Sequence, residues 1–469
     1  MTVAMTSAPS SPDGTDGTGA RVAIIGGGFG GLAAAWELVQ RGVTPVVLEA
    51  DDSLGGLAGS FEVNGAQLDR FYHHWFTSDT HVTDLARELG TLDHVVYRAT
   101  RTGMYFANQM FRLSTPLDVL RFTPLSAVGR VRLGLLALRA RAVADWKQLE
   151  NVTAEQWLKE LGGEEVYRVV WQPLLEGKFG PYAPDVSAVW FWNKLKLRGG
   201  SRSKGGGESL AYYRGGFAAL AESLADGIRA AGGEVRTGER VRELMVDADG
   251  QVTGVITDAG VIEADATLAT PALPIVAALV SPHAPAAYTE SLRAIPYLAN
   301  VCLVLELDRS LSDTYWLNVN DPGFPFVGVI EHTNFEPAST YAGRHIVYLS
   351  KYLPEGERLY TMSDDDLLEF SLPHLQRMFP EFDRRWIQRH HVWRARYAQP
   401  VVVKHYSEMI PAAATPLPGL YLCSMAQVYP EDRGTNYAIR EGRLIAAEIA
   451  NALSLSLSKS VAASVDAAG

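Results

Sequence analysis

Three glycines, Gly26, Gly28 and Gly31, stand in the spacing G-x-G-x-x-G directly after the apolar run Arg21–Ile25. Such a spacing acts by leaving backbone bare. The first glycine permits a tight turn, the second lets the main chain approach a pyrophosphate, and the third lets a helix pack closely on its strand. The phosphate then faces the N-terminus of a helix expected over Leu32 to Arg41, where unpaired amides and the helix dipole favour negative charge. A second apolar run, Pro45 to Leu48, ends on Glu49. A carboxylate there hydrogen-bonds a ribose 2′-hydroxyl and repels the 2′-phosphate of NADP. Strand before, helix after and acid at the next strand end together point to a dinucleotide site.

Other reactive side chains follow. His73 and His74 sit in GAQLDRFYHHWFTSD, beyond a loop containing Gly55 and Gly56. The glycine-rich stretch WNKLKLRGGSRSKGGGESLAYYRGG gathers Lys194, Lys196, Arg198, Arg202, Lys204 and Arg214. Several cations on flexible backbone make a clamp for phosphate or carboxylate, or else a solvated loop. Arg70, Arg112 and Arg433 are further cations that an anion site could recruit. Glu331-His332-Thr333 ends an apolar strand, and Lys351 stands between Tyr348 and Tyr352 in another. His332 and Lys351 are therefore candidate substrate contacts.

Positioning these groups requires more than one layer. Leucines and valines recur at helical spacing, with arginines between them, in LDVLRFTPLSAVGRVRLGLLALRARAVADW. The runs NVCLVLEL, FVGVIEH and HIVYLSKYL alternate and read as antiparallel strands. No internal repeat is visible. Residues 1–19 and 454–469 read as disordered tails, the first rich in Ser, Thr, Gly, Asp and Pro and without the basic and apolar regions of a signal peptide.

A chain of 469 residues with 47% hydrophobic and 20% charged composition can bury two or three cores. A net charge of −11 without a long basic block argues against non-specific nucleic-acid binding. Cys302 and Cys423 are the only cysteines, each within an apolar run, so neither a disulfide framework nor a metal site is expected. No apolar stretch is long enough to span a bilayer, and a cytoplasmic location is expected. The sequence sets no oligomeric state.

The glycine pair beyond Glu49 resembles the extended dinucleotide motif of the flavin-containing amine oxidase superfamily, which includes protoporphyrinogen oxidases, phytoene desaturases and UDP-galactopyranose mutases. Three further blocks carry the resemblance: YRGGF with the helix and strand after it, IEADATLATPALPIVAAL, and LPGLYLCSMAQVYPEDRGTNYAIREGRLIAAEIANAL. The resemblance implies an α/β chain. Its Rossmann-like (GR2-type) FAD-binding domain is discontinuous, formed by 20–75, 206–275 and 395–453, and an α+β substrate domain is formed by 76–205 and 276–394. It implies FAD held by Gly26, Gly28, Phe29, Gly30, Gly31, Glu49, Ala50, Gly55, Gly56 and Leu57, and because no cysteine or histidine stands in a recognisable flavinylation motif the FAD is expected to be non-covalent. A backbone group near Val241 would meet the adenine, and Gly434 and Thr435 would meet the ring. The histidine segment is similar to that of the mutases, which puts His74 against the flavin with His73 beside it. Arg433, one of the cations an anion site could recruit, is a further catalytic candidate.

The chain also departs from the superfamily. Cys302 or Leu303 stands where amine oxidases usually place a lysine, Gly434 cannot supply an aromatic-cage ring, and Ser424-Met425-Ala426 replaces a Gly-Asp pair. The function expected is FAD-dependent oxidation of a polar or anionic small molecule. A redox-neutral mutase acting on a nucleotide sugar and a non-catalytic FAD-binding protein are the alternatives.

Overall fold

The computed structural model describes residues 19–112, 116–200, 208–321 and 323–466. The 1–18 part of the expected N-terminal tail lies outside them. Five parallel strands form the first layer: β1 (Arg21–Ile25), β2 (Thr44–Leu48), β3 (Glu234–Arg236), β4 (Ala266–Ala269) and β5 (Leu420–Leu422), in the order β3-β2-β1-β4-β5. Ala23 pairs with Val46 and with Thr267, and Leu268 pairs with Tyr421. Strands covered on both faces must be apolar throughout, and Val22, Ile24, Val46 and Val47 are fully buried. The strand order runs one way from β1 to β3 and the other way to β5. This reversal leaves a crevice at the carboxyl ends, the place where open α/β sheets bind ligands.

Helices α1 (Phe29–Gln40), α2 (Gly216–Ala230) and α3 (Thr435–Asp466) belong to this unit. A β-carbon added at Gly442 would stand 2.2 Å from the Gly30 carbonyl oxygen, so α3 lies directly on the start of α1. Helix α3 continues to Asp466, so residues 454–466 of the expected disordered tail are helical. Propagation adds a hydrogen bond per residue to a turn already nucleated by packing, and no Pro or Gly occurs between Arg443 and Asp466.

The second layer is a seven-stranded sheet containing Tyr297–Leu307, His345–Leu353, Gly328–Glu331 and the long strand Ile387–Pro400. The boundary expected at 394/395 falls inside that last strand. The expected helical insertion also gives this sheet a hairpin, Thr102–Phe106 with Gln109–Arg112, joined in parallel to Trp316–Val319. The rest of that insertion is mainly helical, including Ala127–Ala142, Gln172–Phe179 and Ala188–Gly200.

Asp69 ties the two layers together. It ends a hairpin formed by Ser60–Val63 and Ala66–Asp69 and is fully buried. Its carboxyl accepts from the Tyr212 hydroxyl at 2.9 Å and from the Phe217 amide at 3.1 Å, near the start of α2. Its carbonyl accepts from the Tyr348 hydroxyl at 2.6 Å, in the second sheet. The next residues are Arg70-Phe71-Tyr72-His73-His74, so this one anchor fixes where the histidines emerge.

Candidate active site

The carboxyl ends of β1, β2, β4 and β5 open into one cavity of about 1470 Å³, lined there by Gly26, Glu49, Thr270 and Cys423. Ordinary small-molecule sites hold roughly 300–1,000 Å³, so this one has room for a cofactor and a substrate together.

One end carries the nucleotide signature. Gly26 has a φ of +108°, the turn that leads from β1 into α1. A β-carbon on Gly31 would lie 2.1 Å from the Gly26 carbonyl oxygen, so Gly31 serves packing and does not line the cavity. Gly28 faces open space: the nearest atom to an added β-carbon is Gly56 Cα at 3.9 Å. The Gly27 amide donates to Glu49 Oε2 at 2.7 Å and the Asp51 amide to Oε1 at 2.8 Å. Both carboxylate oxygens are thus held by backbone at the strand end. Phe29, Gly30, Ala50, Gly55, Gly56, Leu57, Val241, Gly434 and Thr435 also line the cavity.

The other end brings His73 and His74 onto the cavity with Tyr72 and Arg433. His73 Nδ1 lies 2.5 Å from the Phe71 carbonyl oxygen, which only accepts, so Nδ1 carries the proton. Burial, with a contribution from the Arg433 charge, lowers its imidazole to about 4. His73 is therefore neutral near pH 7, with Nε2 as an acceptor. His74 Nδ1 is 2.9 Å from the Tyr315 hydroxyl, and its ring meets Phe76 and Trp316 edge-on. The Ser350 hydroxyl is shared by Tyr72 at 3.2 Å and by the Asn300 amide at 3.0 Å.

Beside them stands a charge cluster. Asp432 Oδ2 pairs with Lys194 at 2.5 Å, and Oδ1 accepts from the Trp190 indole at 3.0 Å. Burial alone would raise this carboxyl. The charges of Lys194, Lys178 and Arg433 overcome that and hold it well below the usual carboxylate range. Arg433 donates to the Tyr352 hydroxyl at 3.0 Å, while its Nε has no hydrogen-bond partner among the described residues. The Lys178 ammonium lies over the Trp190 and Tyr352 rings at 4.8 and 5.2 Å. Three cations around one carboxylate, walled by aromatic rings, make an anion-receiving end.

Several expected substrate contacts lie elsewhere. His332 is 1% exposed, packs on Tyr212, Phe335 and Tyr348, and exchanges a 2.9 Å hydrogen bond with the Tyr341 hydroxyl. It is off the cavity, and burial, reinforced by the Arg98 charge, lowers its imidazole to about 3. Lys351 donates to the Gly177 carbonyl at 3.2 Å and is also off the cavity, whereas Ser350 and Tyr352 line it. Side chains alternate along a strand, so the expectation chose the wrong face by one residue. Arg214 is exposed and off the cavity. Arg202 and Lys204 lie outside the described residues, as does the side chain of Arg198. Among the described cations of the expected basic loop, Lys194 is the one that the helix Ala188–Gly200 brings to the cavity.

Asp432, Lys178, Tyr72, Asn300, Ser350 and Tyr352 escaped the sequence reading. A signal existed for two of them: Asn300 and Ser350 are polar residues inside mainly apolar strands, and the buried polar residue is the informative one. Cys302 is fully buried next along the Asn300 face without reaching the cavity, and burial pushes its thiol up.

The family model for flavin containing amine oxidoreductase matches residues 29–450. Among relatives, the 15-cis-phytoene desaturase of Arabidopsis thaliana is 22% identical over 449 residues, covering 86% of this chain and 75% of that protein. The phytoene dehydrogenase of Streptomyces griseus is 27% identical over 325 residues, covering 56% and 57%. Among solved structures, a putative protoporphyrinogen oxidase from Exiguobacterium sp. 255-15 superimposes with a TM-score of 0.73 at 17% identity, covering 92% of this chain and 98% of that one. A reduced UDP-galactopyranose mutase does so with a TM-score of 0.71 at 15% identity, covering 92% and 93%. At these identities the structural likeness is one of fold.

Proposed function

The chain belongs to the flavin containing amine oxidoreductase family, and from that premise we propose that it oxidises a polar or anionic small molecule, passing hydride to N5 of non-covalently bound FAD. The residues present fit that cofactor. Bare backbone at Gly28 and Gly434 leaves space that a β-carbon would narrow, Glu49 is preset for a ribose, and the N-terminus of α3 at Thr435 faces the cavity. Bound FAD supplies the two-electron acceptor. Cys423 lines the cavity, but burial, with a smaller effect of Glu441, pushes its thiol up to about 12, which suits non-covalent retention.

The protein's own contribution lies at the reactive end. Arg433, Lys178 and Lys194 receive the negative group of the substrate, and Asp432 keeps the three cations together. Tyr72, Asn300 and Ser350 orient the polar remainder. His74, its Nδ1 fixed by Tyr315, and the neutral His73 handle the substrate proton. The aromatic walls exclude water, which strengthens each of these interactions.

The Asp432 cluster is the observation that carries this reading. Its test is anaerobic titration of the purified yellow protein with carboxylated and phosphorylated metabolites beside their neutral counterparts, following the flavin absorbance. The anionic members are expected to bleach the flavin. Bleaching by the neutral counterparts alone overturns the anion-receiving role of the Asp432 cluster. Turnover that requires dithionite first and shows no net electron change replaces oxidation with the mutase reading.

A further inference from the structure

The helix Ala127–Ala142 is apolar on two faces. Gly129, Leu133, Leu136 and Ala140 face inward and are buried. Val128, Val131, Leu135 and Leu138 form a second stripe, repeating every three or four residues, and point outward. With Leu117 and Leu120 of the neighbouring helix Pro116–Leu120, these side chains are between 43% and 61% exposed. Other exposed large apolar residues, such as Val261, Ile275 and Leu444, are spread singly along the chain. A concentration of this kind marks a surface meant to be covered.

Charge selects what covers it. Residues 116–142 carry Arg121, Arg130, Arg132, Arg139 and Arg141 against the single acid Asp118, in a chain whose net charge is −11. The helix Ala127–Ala142 itself has no acid. A second copy docked on this face would bring the same arginines against these arginines. An anionic leaflet would instead accept the leucines into its acyl region and the arginine heads at its phosphates, their stems lying along the apolar surface. Position agrees, because Leu120, Val131, Leu135 and Leu138 also line the cavity, which opens beside the stripe. No helix among the described residues is long and apolar enough to cross a membrane, so contact is in the plane of the surface.

We propose that the outward face of residues 117–141 docks on an anionic lipid leaflet, setting the mouth of the cavity against the membrane surface. This rests on surface apolarity and charge and is independent of the reaction proposed above.

The test is co-sedimentation of the full-length holoprotein with phosphatidylcholine vesicles containing or lacking phosphatidylglycerol. Binding is expected only to the anionic vesicles and is expected to weaken with salt. The triple substitution Leu117→Ser, Val128→Ser, Leu138→Ser and the double substitution Arg139→Gln, Arg141→Gln should each weaken it by about tenfold or more. Both variants should keep wild-type flavin content and thermal midpoint, which separates lost docking from lost folding. Absence of vesicle binding, or equal binding by the wild type and both variants, overturns the proposal. So does a wild-type dimer that the serine variant dissociates while vesicles bind neither protein.

Discussion

Gly27 and Glu49 are 22 residues apart and meet at 2.7 Å, whereas Trp190 and Asp432 are 242 apart and Tyr72 and Ser350 are 278 apart at hydrogen-bond distance. The two ends of the same cavity are thus built on different principles. The glycine-rich end is one turn between neighbouring parallel strands, and it is built mainly of backbone. The reactive end is side chains delivered by the histidine segment, two helices of the insertion, two strands of the second sheet and the residues before α3. Backbone sites depend on steric room, and assembled side-chain sites depend on anchors such as Asp69 and on charge balance such as that of Asp432.

The largest break should come at the glycine-rich end. Gly31→Ala places a β-carbon against main-chain oxygen that cannot swing away, and should cost more than about 4 kcal/mol and abolish flavin binding, read by urea unfolding and absorbance. A yellow, stable Gly31→Ala protein would show that the close strand-to-helix packing is not required.

Next is the anchor. Burial raises the Asp69 carboxyl to about 7, with Tyr212 and Phe217 opposing. The folded chain therefore holds a proton that the unfolded chain releases above about pH 4. Stability from this group is complete below that pH and falls by on the order of 4 kcal/mol as pH rises to about 7. Asp69→Asn should remove that decline, measured by urea unfolding at pH 5 and pH 8. An unaltered profile would mean that Asp69 is not the group responsible.

Asp432 has the opposite sign. Its depressed folded pKa gives stability that is present above about pH 4 and is lost as pH falls further. Asp432→Asn should cost about 2 kcal/mol at pH 7, with the deficit shrinking in acid, because the half-buried Lys194 ammonium is left without its charged partner. Equal deficits at pH 3 and pH 7 would contradict this.

His74→Ala should keep the flavin and lower kcat about 100-fold, separating the two ends functionally. An unchanged kcat in steady-state assay would remove His74 from the chemistry. The smallest effect is expected from Lys351→Met: a change in KM below about threefold and about 1 kcal/mol of stability, from the lost hydrogen bond to Gly177. A larger rise in KM would place the Lys351 side chain in the site after all.

The same contrast explains what was legible. The glycine spacing, the strand before it and Glu49 form a contiguous pattern whose meaning survives without tertiary knowledge, because parallel strands and their turns impose it locally. The alternating runs of the second sheet were legible too, but the face was not. Lys351 and Ser350 differ by one position, and only pairing, Asn300 with Tyr352 and Cys302 with Ser350, decides which looks into the cavity. His332 looked functional because it ends an apolar strand, yet it packs among Tyr212, Tyr341 and Tyr348.

By itself, then, the order of residues determined the glycine-lined crevice, the flavin family and the mixed α/β architecture, since each follows from short-range spacing and period. Tertiary structure alone decided that Asp432 gathers Lys178, Lys194 and Arg433, and that Asp69 aims the histidines. It also decided that one helix shows apolar stripes to both core and surface. Charge pairing and burial act through distance in space, and separations of more than 200 residues carry no trace of that distance along the chain.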